Sequence, residues 1–372
     1  MLYRPAAFEP LTDEPWDEVR ARDGIAAIVA DADAVFDPDG LWPAHEWDGH
    51  NAPLPLKNLY VGAAGVVWAL DDLRQRGHAE TSLDLSAIAI ETLERWRAEP
   101  DYMAGELLPE PPESALLTGE TGILLAACRL GHPLADDLRR RIGANLANEA
   151  EDLMWGTPGT LVAAAAMGWD DLARESADAL ASRRDAEGLW TQRLWDASFR
   201  GIGTVHGLAG NVLALLQVDD PRNEALRRES GAALARAAAL EDGFANWSSE
   251  GKLQWCAGAP GVVSAARAYL DQELLLAGAE LVWRAGAPAA EKGHGICHGT
   301  SGNGFALLAA FERTQDELWL DRARRFAMHA LAQAQRMPAR YSLFTGGAGT
   351  ALFAAACLEA DARYPLLERR WD

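Results

Sequence analysis

The chain has 372 residues, 49% of them hydrophobic, which is enough to bury a large core. Lysine and arginine number 34 against 55 aspartates and glutamates, a formal charge of −21 spread along the chain, which argues against nucleic acid or an anionic membrane surface as partner. No run of about eighteen apolar residues occurs, so no membrane span is expected, and the opening MLYRPAAFEPLTDEPWDE does not read as a secretory signal.

In chain order, an irregular stretch rich in proline and polar residues at 36–60 leads to Gly62, which opens the string GAAGVVWAL. An amphipathic segment follows at 81–97, then a second such loop at 98–117 and the strings GETGILLAA from Gly119 and GTPGTLVAA from Gly156. Segment 169–185 is amphipathic, and 186–205 reads as a long loop carrying Trp190 and Trp195. GLAGNVLAL from Gly207, an amphipathic segment at 223–240, a loop at 241–255 with Trp247 and Trp255, and GAPGVVSAA from Gly258 come next. The series ends with GTSGNGFAL from Gly299, an amphipathic segment at 318–335 and GGAGTALFAA from Gly346.

One signal therefore recurs seven times, at spacings of 37 to 57 residues: a Gly-x-x-Gly turn and then an apolar, alanine-rich stretch. These stretches lack strand alternation, favour helix and are apolar nearly all round, so they predict buried inner helices. The amphipathic segments between them predict outer helices with one solvated face. The expected fold is all-α: a double-layered α/α toroid of about seven inner and seven outer helices, forming one domain over 1–372. The glycines are expected to supply positive φ and close helix approach. All seven turns should lie at one end of the barrel, which should hold the site.

The four cysteines are Cys128, Cys256, Cys297 and Cys357. So few in so long a chain do not make a disulfide scaffold, and a reducing cytoplasm is the expected compartment. Cys256 and Cys297 stand 41 residues apart in matched turn contexts, with His298 directly after Cys297. Neighbours on a helix diverge by about 100°, so this pair is expected in the turn before its helix. Two thiolates and an imidazole make a zinc site with its fourth position open; two buried free cysteines and a hydrogen-bonded histidine are the alternative. Cys128 and Cys357, in alanine-rich runs, read as core residues. His206 precedes Gly207 as His298 precedes Gly299, so it should face the same basin, either exchanging protons or capping its helix. Asp152, before the third turn, either positions His206 or belongs to a solvated acidic run. Nothing in the sequence fixes the direction of His294, and His45, His50, His78, His132 and His329 read as surface or loop residues.

On the strings WCAGAPG, ICHGTSGN and VHGLAGN, together with FTGGAGTALF and the segment Tyr364-Pro365-Leu366-Leu367-Glu368, the chain resembles the lanthionine synthetase C-like family. The resemblance implies a mononuclear zinc on Cys256, Cys297 and His298. It also implies addition of a cysteine thiol to dehydroalanine or dehydrobutyrine, either as lanthionine cyclisation or as glutathione addition. His206 matches the family's proton-transfer histidine and Asp152 its acidic partner. Partners implied are a dehydrated peptide or protein, possibly glutathione, and a separate dehydratase. Lys252 stands where a family cyclase carries arginine; it keeps the charge but loses the planar fork. Ala257 stands where tyrosine or histidine is frequent. Two other readings stay open: a zinc-containing peptide or glutathione binder without turnover, and a glycan-active α/α barrel.

Overall fold

The computed structural model describes residues 1–49, 52–101, 113–194, 197–248, 250–289 and 291–368. His50, Trp195 and most of the loop at 98–117 lie outside the described residues. Seven helices each follow one Gly-x-x-Gly turn: α3 (Ala63–Gln75), α5 (Glu120–Arg129), α7 (Thr157–Ala166), α9 (Leu208–Leu215), α11 (Ala259–Ala266), α13 (Thr300–Thr314) and α15 (Gly347–Glu359). Each packs against the next, and α15 returns to α3. Burial explains their apolar composition: every residue of α9 and of α11 is buried.

The remaining long helices lie outside this set. They are α1 (Glu18–Val35), α4 (Leu85–Ala98), α6 (Ala135–Ala144), α8 (Asp170–Ser182), α10 (Asn223–Ala237), α12 (Gln272–Ala285) and α14 (Glu317–Arg336). The four amphipathic segments named above become α4, α8, α10 and α14. In α8 the buried residues Leu172, Ala173, Ser176, Ala177 and Leu180 recur at three- and four-residue steps, and the other face is solvated. α4 lies against α3 and α5, α12 against α11 and α13, and α14 against α13 and α15. α1, from the N-terminal end of the chain, lies on α15 and α14.

The turns are joined to one another by backbone hydrogen bonds. Tyr60 N–H donates to the Leu117 carbonyl (2.9 Å), Leu153 to Val205 (3.1 Å), Val205 to Cys256 (3.4 Å), Cys256 to Cys297 (3.1 Å), Cys297 to Phe344 (2.8 Å), and Phe344 back to Tyr60 (3.1 Å). Tyr60, Leu117, Val205, Cys256, Cys297 and Phe344 each stand two residues before the first glycine of their turn. Six of the seven neighbouring pairs of units are thus laced at one level into a girdle; the second and third turns are not joined by one of these bonds, and the third contributes Leu153, three residues before its glycine.

Close approach, not positive φ, explains most of the turn glycines. Among the first glycines of the seven turns, Gly258 is the one in the positive-φ region, at 119°. In every unit a Cβ on the second glycine would strike the carbonyl oxygen six residues earlier: 1.8 Å from Trp255 O at Gly261, and 2.0 Å from Ile296 O at Gly302.

The loops hold more regular structure than expected. Segment 186–205 forms a hairpin of β2 (Gln192–Leu194) and β3 (Ala197–Phe199), and a second hairpin pairs β4 (Ala239–Glu241) with β5 (Phe244–Asn246). The second turns at Asp242-Gly243, both with positive φ (53° and 82°), the two-residue geometry that Asp-Gly favours. β1 (Phe8–Glu9) pairs antiparallel with β6 (Ala287–Pro288), and a short helix α2 (Glu46–Gly49) interrupts 36–60. Near the chain's end, Tyr364 stacks on Trp255 at 4.0 Å and touches Phe305 at 4.8 Å, while Glu368 pairs with the buried Arg267 at 2.7 Å.

Candidate active site

The girdle sets Cys256 and Cys297 side by side because both occupy the same position in adjacent turns. Their side chains meet, with the Cys297 thiol donating to the Cys256 sulfur. Each sulfur accepts one further hydrogen bond. The Gln254 amide Nε2 donates to Cys256 Sγ at 2.8 Å, and the Tyr60 hydroxyl donates to Cys297 Sγ at 3.0 Å. Donation from Cys297, with that from Gln254, brings the Cys256 thiol down to about 7 against the pull of burial. Cys297, donating to Cys256 and buried, is pushed up. Cys256 is therefore the thiol that ionises first.

His298 sits in the turn ahead of α13, as its adjacency to Cys297 required. Its imidazole lines a cleft of about 500 Å³ together with Arg4, Lys252, Gln254 and Lys292. Burial, with the nearby positive charges of Lys292 and Arg340, lowers its pKa to about 4, so it is a neutral ligand-type imidazole at pH 7. Among the described residues, no group of three or more His, Cys, Asp or Glu side chains is arranged to hold a metal ion. The structure thus brings the two sulfurs together but does not gather His298 into a three-donor cluster with them. In chemical kind the donors fit a thiophilic divalent cation: an adjacent thiol pair, one member readily ionised, and a neutral imidazole next along the chain.

His206 and Asp152 do meet. His206 Nδ1 donates to Asp152 Oδ2 at 2.7 Å. Asp152 is fully buried; its Oδ1 accepts the Trp155 backbone N–H at 2.8 Å and its Oδ2 also accepts the Gln192 amide. The Trp155 indole stacks on the His206 ring at 5.0 Å and 24°. Burial pulls the His206 pKa down, but the Asp152 charge and hydrogen bond outweigh it, and the net shift is upward. With Nδ1 committed to Asp152, proton exchange falls to Nε2.

Lys252 pairs with Glu250 at 2.6 Å and is half exposed on the cleft wall. Its positive charge lowers the pKa of both Cys256 and His206. His294 is turned toward Thr350 of α15, 2.8 Å from its hydroxyl, and lines a separate small cavity. The expectation of a surface His329 is wrong. It is 1% exposed, accepting the Thr12 N–H at Nδ1 and bonding Glu9 through Nε2, because the N-terminal segment docks on α14. Cys357 is buried and Cys128 half-buried in inner helices, in keeping with core roles.

Sequence reasoning missed Tyr60, Gln254, Trp155 and Gln192. Tyr60 and Trp155 were within reach, since they stand two and one residues before Gly62 and Gly156, the positions that Cys256 and His206 hold in their own turns. Gln192 comes from β2, which carries no turn signal.

The nisin cyclase structure superposes with a TM-score of 0.62 at 15% identity, covering 94% of this chain and 97% of that one, so the two share a fold. Glutathione S-transferase LANCL1 of Danio rerio is 38% identical over 130 residues, 31% of this chain and 31% of that protein's length. The family model for lanthionine synthetase C-like proteins matches residues 52–368, a span that takes in all seven turns and both the sulfur pair and the His206–Asp152 pair, and the chain belongs to that family.

Proposed function

We propose that the protein is a zinc-dependent enzyme that joins a cysteine thiol to dehydroalanine or dehydrobutyrine, forming a thioether. The single observation that carries this reading is the pairing of two adjoining thiols with an acid-backed histidine at the level of the turns. The cyclic order of inner helices and the backbone girdle support reading the fold as a single-domain, double-layered α/α toroid whose turn-bearing end is the active end.

Cys256, Cys297 and His298 would hold the ion. When bound, zinc favours the thiolate form of an incoming thiol, whose free pKa of about 8.5 leaves it mostly protonated at neutral pH. Attack on the β-carbon of the alkene moves negative charge to the α-carbon and its carbonyl, and that carbon must then be protonated. His206 Nε2 is assigned that proton transfer, with Asp152 holding the ring and its charged form. Lys252 adds positive charge at the cleft wall where enolate charge develops. Substrates on this reading are a peptide or protein dehydrated by a separate enzyme, with either its own cysteine or glutathione as the thiol. The names of the cyclase and the transferase to which the chain is similar support both. A reducing cytoplasm suits thiolate ligands. Binding without turnover is the second reading, favoured by the engagement of Lys252 with Glu250.

The test is incubation of zinc-loaded protein with a dehydrated peptide, with and without glutathione. Cyclisation removes alkylatable thiol at constant mass; addition raises the mass by one glutathione. Metal content is measured beside Cys256→Ala, which should lose zinc. Persistence of free thiol and unchanged mass in every arm would sink the catalytic reading, and tight peptide or glutathione binding in those arms would favour the second.

A further inference from the structure

This inference rests on the reading of the site as a place where a thiol meets an electrophilic alkene. Once a substrate thiol has entered, three sulfurs adjoin that alkene, and two of them belong to the enzyme. Attack by Cys256 or Cys297 would form a C–S bond at the β-carbon and send the π pair to the α-carbon. A proton would then add there, leaving the enzyme as its own thioether. A catalyst of this reaction therefore needs a means of keeping its resident sulfurs quiet.

We propose that Tyr60 and Gln254 supply it: one donor held on each resident sulfur draws electron density from that sulfur and leaves the incoming thiol the strongest nucleophile of the three. The donors come from different units, the first and the fifth, and reach the sulfurs at 3.0 and 2.8 Å. Both are fixed in place. Tyr60 is buried, is held by the girdle on both its N–H and its carbonyl, and lies 5.0 Å from the Phe344 ring. Gln254 exchanges two backbone hydrogen bonds with Ala257 across the Cys256 turn, at 3.3 and 3.1 Å. Hydrogen bonds to an ionised acceptor are about twice as strong as neutral ones, so each donor matters most when its sulfur is anionic.

The test uses zinc-loaded wild type, Tyr60→Phe, Gln254→Leu and Gln254→Asn, incubated with methyl 2-acetamidoacrylate and no added thiol. Adducts are mapped by proteolysis and mass spectrometry, zinc per chain is measured in the same samples, and circular dichroism checks the fold. The expected result is residue-specific. Tyr60→Phe accelerates alkylation of Cys297, and both Gln254 variants that of Cys256, each about tenfold, the size of one lost hydrogen bond to a charged group. Alkylation of Cys128 and the zinc content stay unchanged. Equal rates in all proteins, or adducts that rise only in step with zinc loss, would overturn the proposal. Self-alkylation is read without turnover, so this outcome is independent of whether thioether formation is seen with a substrate thiol.

Discussion

His206 illustrates how one residue's setting decides its chemistry. Burial alone would make it a weak base, and the Asp152 carboxylate reverses that. The sign follows directly. The stabilisation from the charged pair is complete below the ordinary histidine value of about 6.5 and is lost as pH rises through the raised folded value. If His206 is the proton donor of the proposed reaction, it should likewise sustain thioether formation above pH 6.5 and lose it at higher pH. Asp152→Asn leaves burial unopposed, so the alkaline limb of the kcat/KM profile should move to lower pH. An unmoved limb would show that His206 is not the titrating group. His206→Ala should slow turnover by about 10²–10⁴-fold with zinc content intact, measured by thiol-loss kinetics and metal analysis. Gln192→Leu should weaken the same pair, seen as a shift of the His206 resonances in the NMR titration.

At the scale of the element, the turn is the working part. Gly261→Ala would set a Cβ 1.8 Å from the Trp255 carbonyl and 2.2 Å from the Thr204 hydroxyl, and both Trp255 and the sulfur beside it would have to shift. The expected cost is about 3 kcal/mol or more in urea unfolding. Gly143, inside α6 with nothing within 4 Å of its would-be Cβ, is the contrast: Gly143→Ala should stabilise by about 0.4–1 kcal/mol. The same steric fact explains what was legible beforehand. A backbone contact that excludes any side chain leaves the same letter in every unit, so the seven turns, the inner helices behind them and the matched placement of Cys256, Cys297, His206 and His298 could be read off directly. The hairpin that delivers Gln192 could not, because it carries no turn signal and the carboxylate that Gln192 meets lies 40 residues away. α6 was missed as an outer helix because Leu138 and Ile142 are its only two buried positions, too few for a periodic signal. His329 was misjudged because its partner, the half-buried Glu9, lies 320 residues distant.

Across the whole molecule, the inner helices have no first or last member. Open repeat arrays depend on capping units and unfold from their ends; here α3 meets α15, and α1 covers α15 from outside. Urea unfolding should therefore be a single transition, with tryptophan fluorescence and far-UV circular dichroism sharing one midpoint; separated midpoints would mean the units melt independently. The backbone girdle also separates two things that most enzymes must change together. The units differ in length by as much as 20 residues, and that variation is taken up by helix lengths and by the excursions between helices and turns. The gap between the two sulfurs is fixed by neighbouring amides and carbonyls on the hoop and does not depend on those excursions. On the proposed function, lengthening or exchanging a loop that meets a new substrate should leave the thiol pair where it was, so that recognition could diversify while the sulfurs stand still.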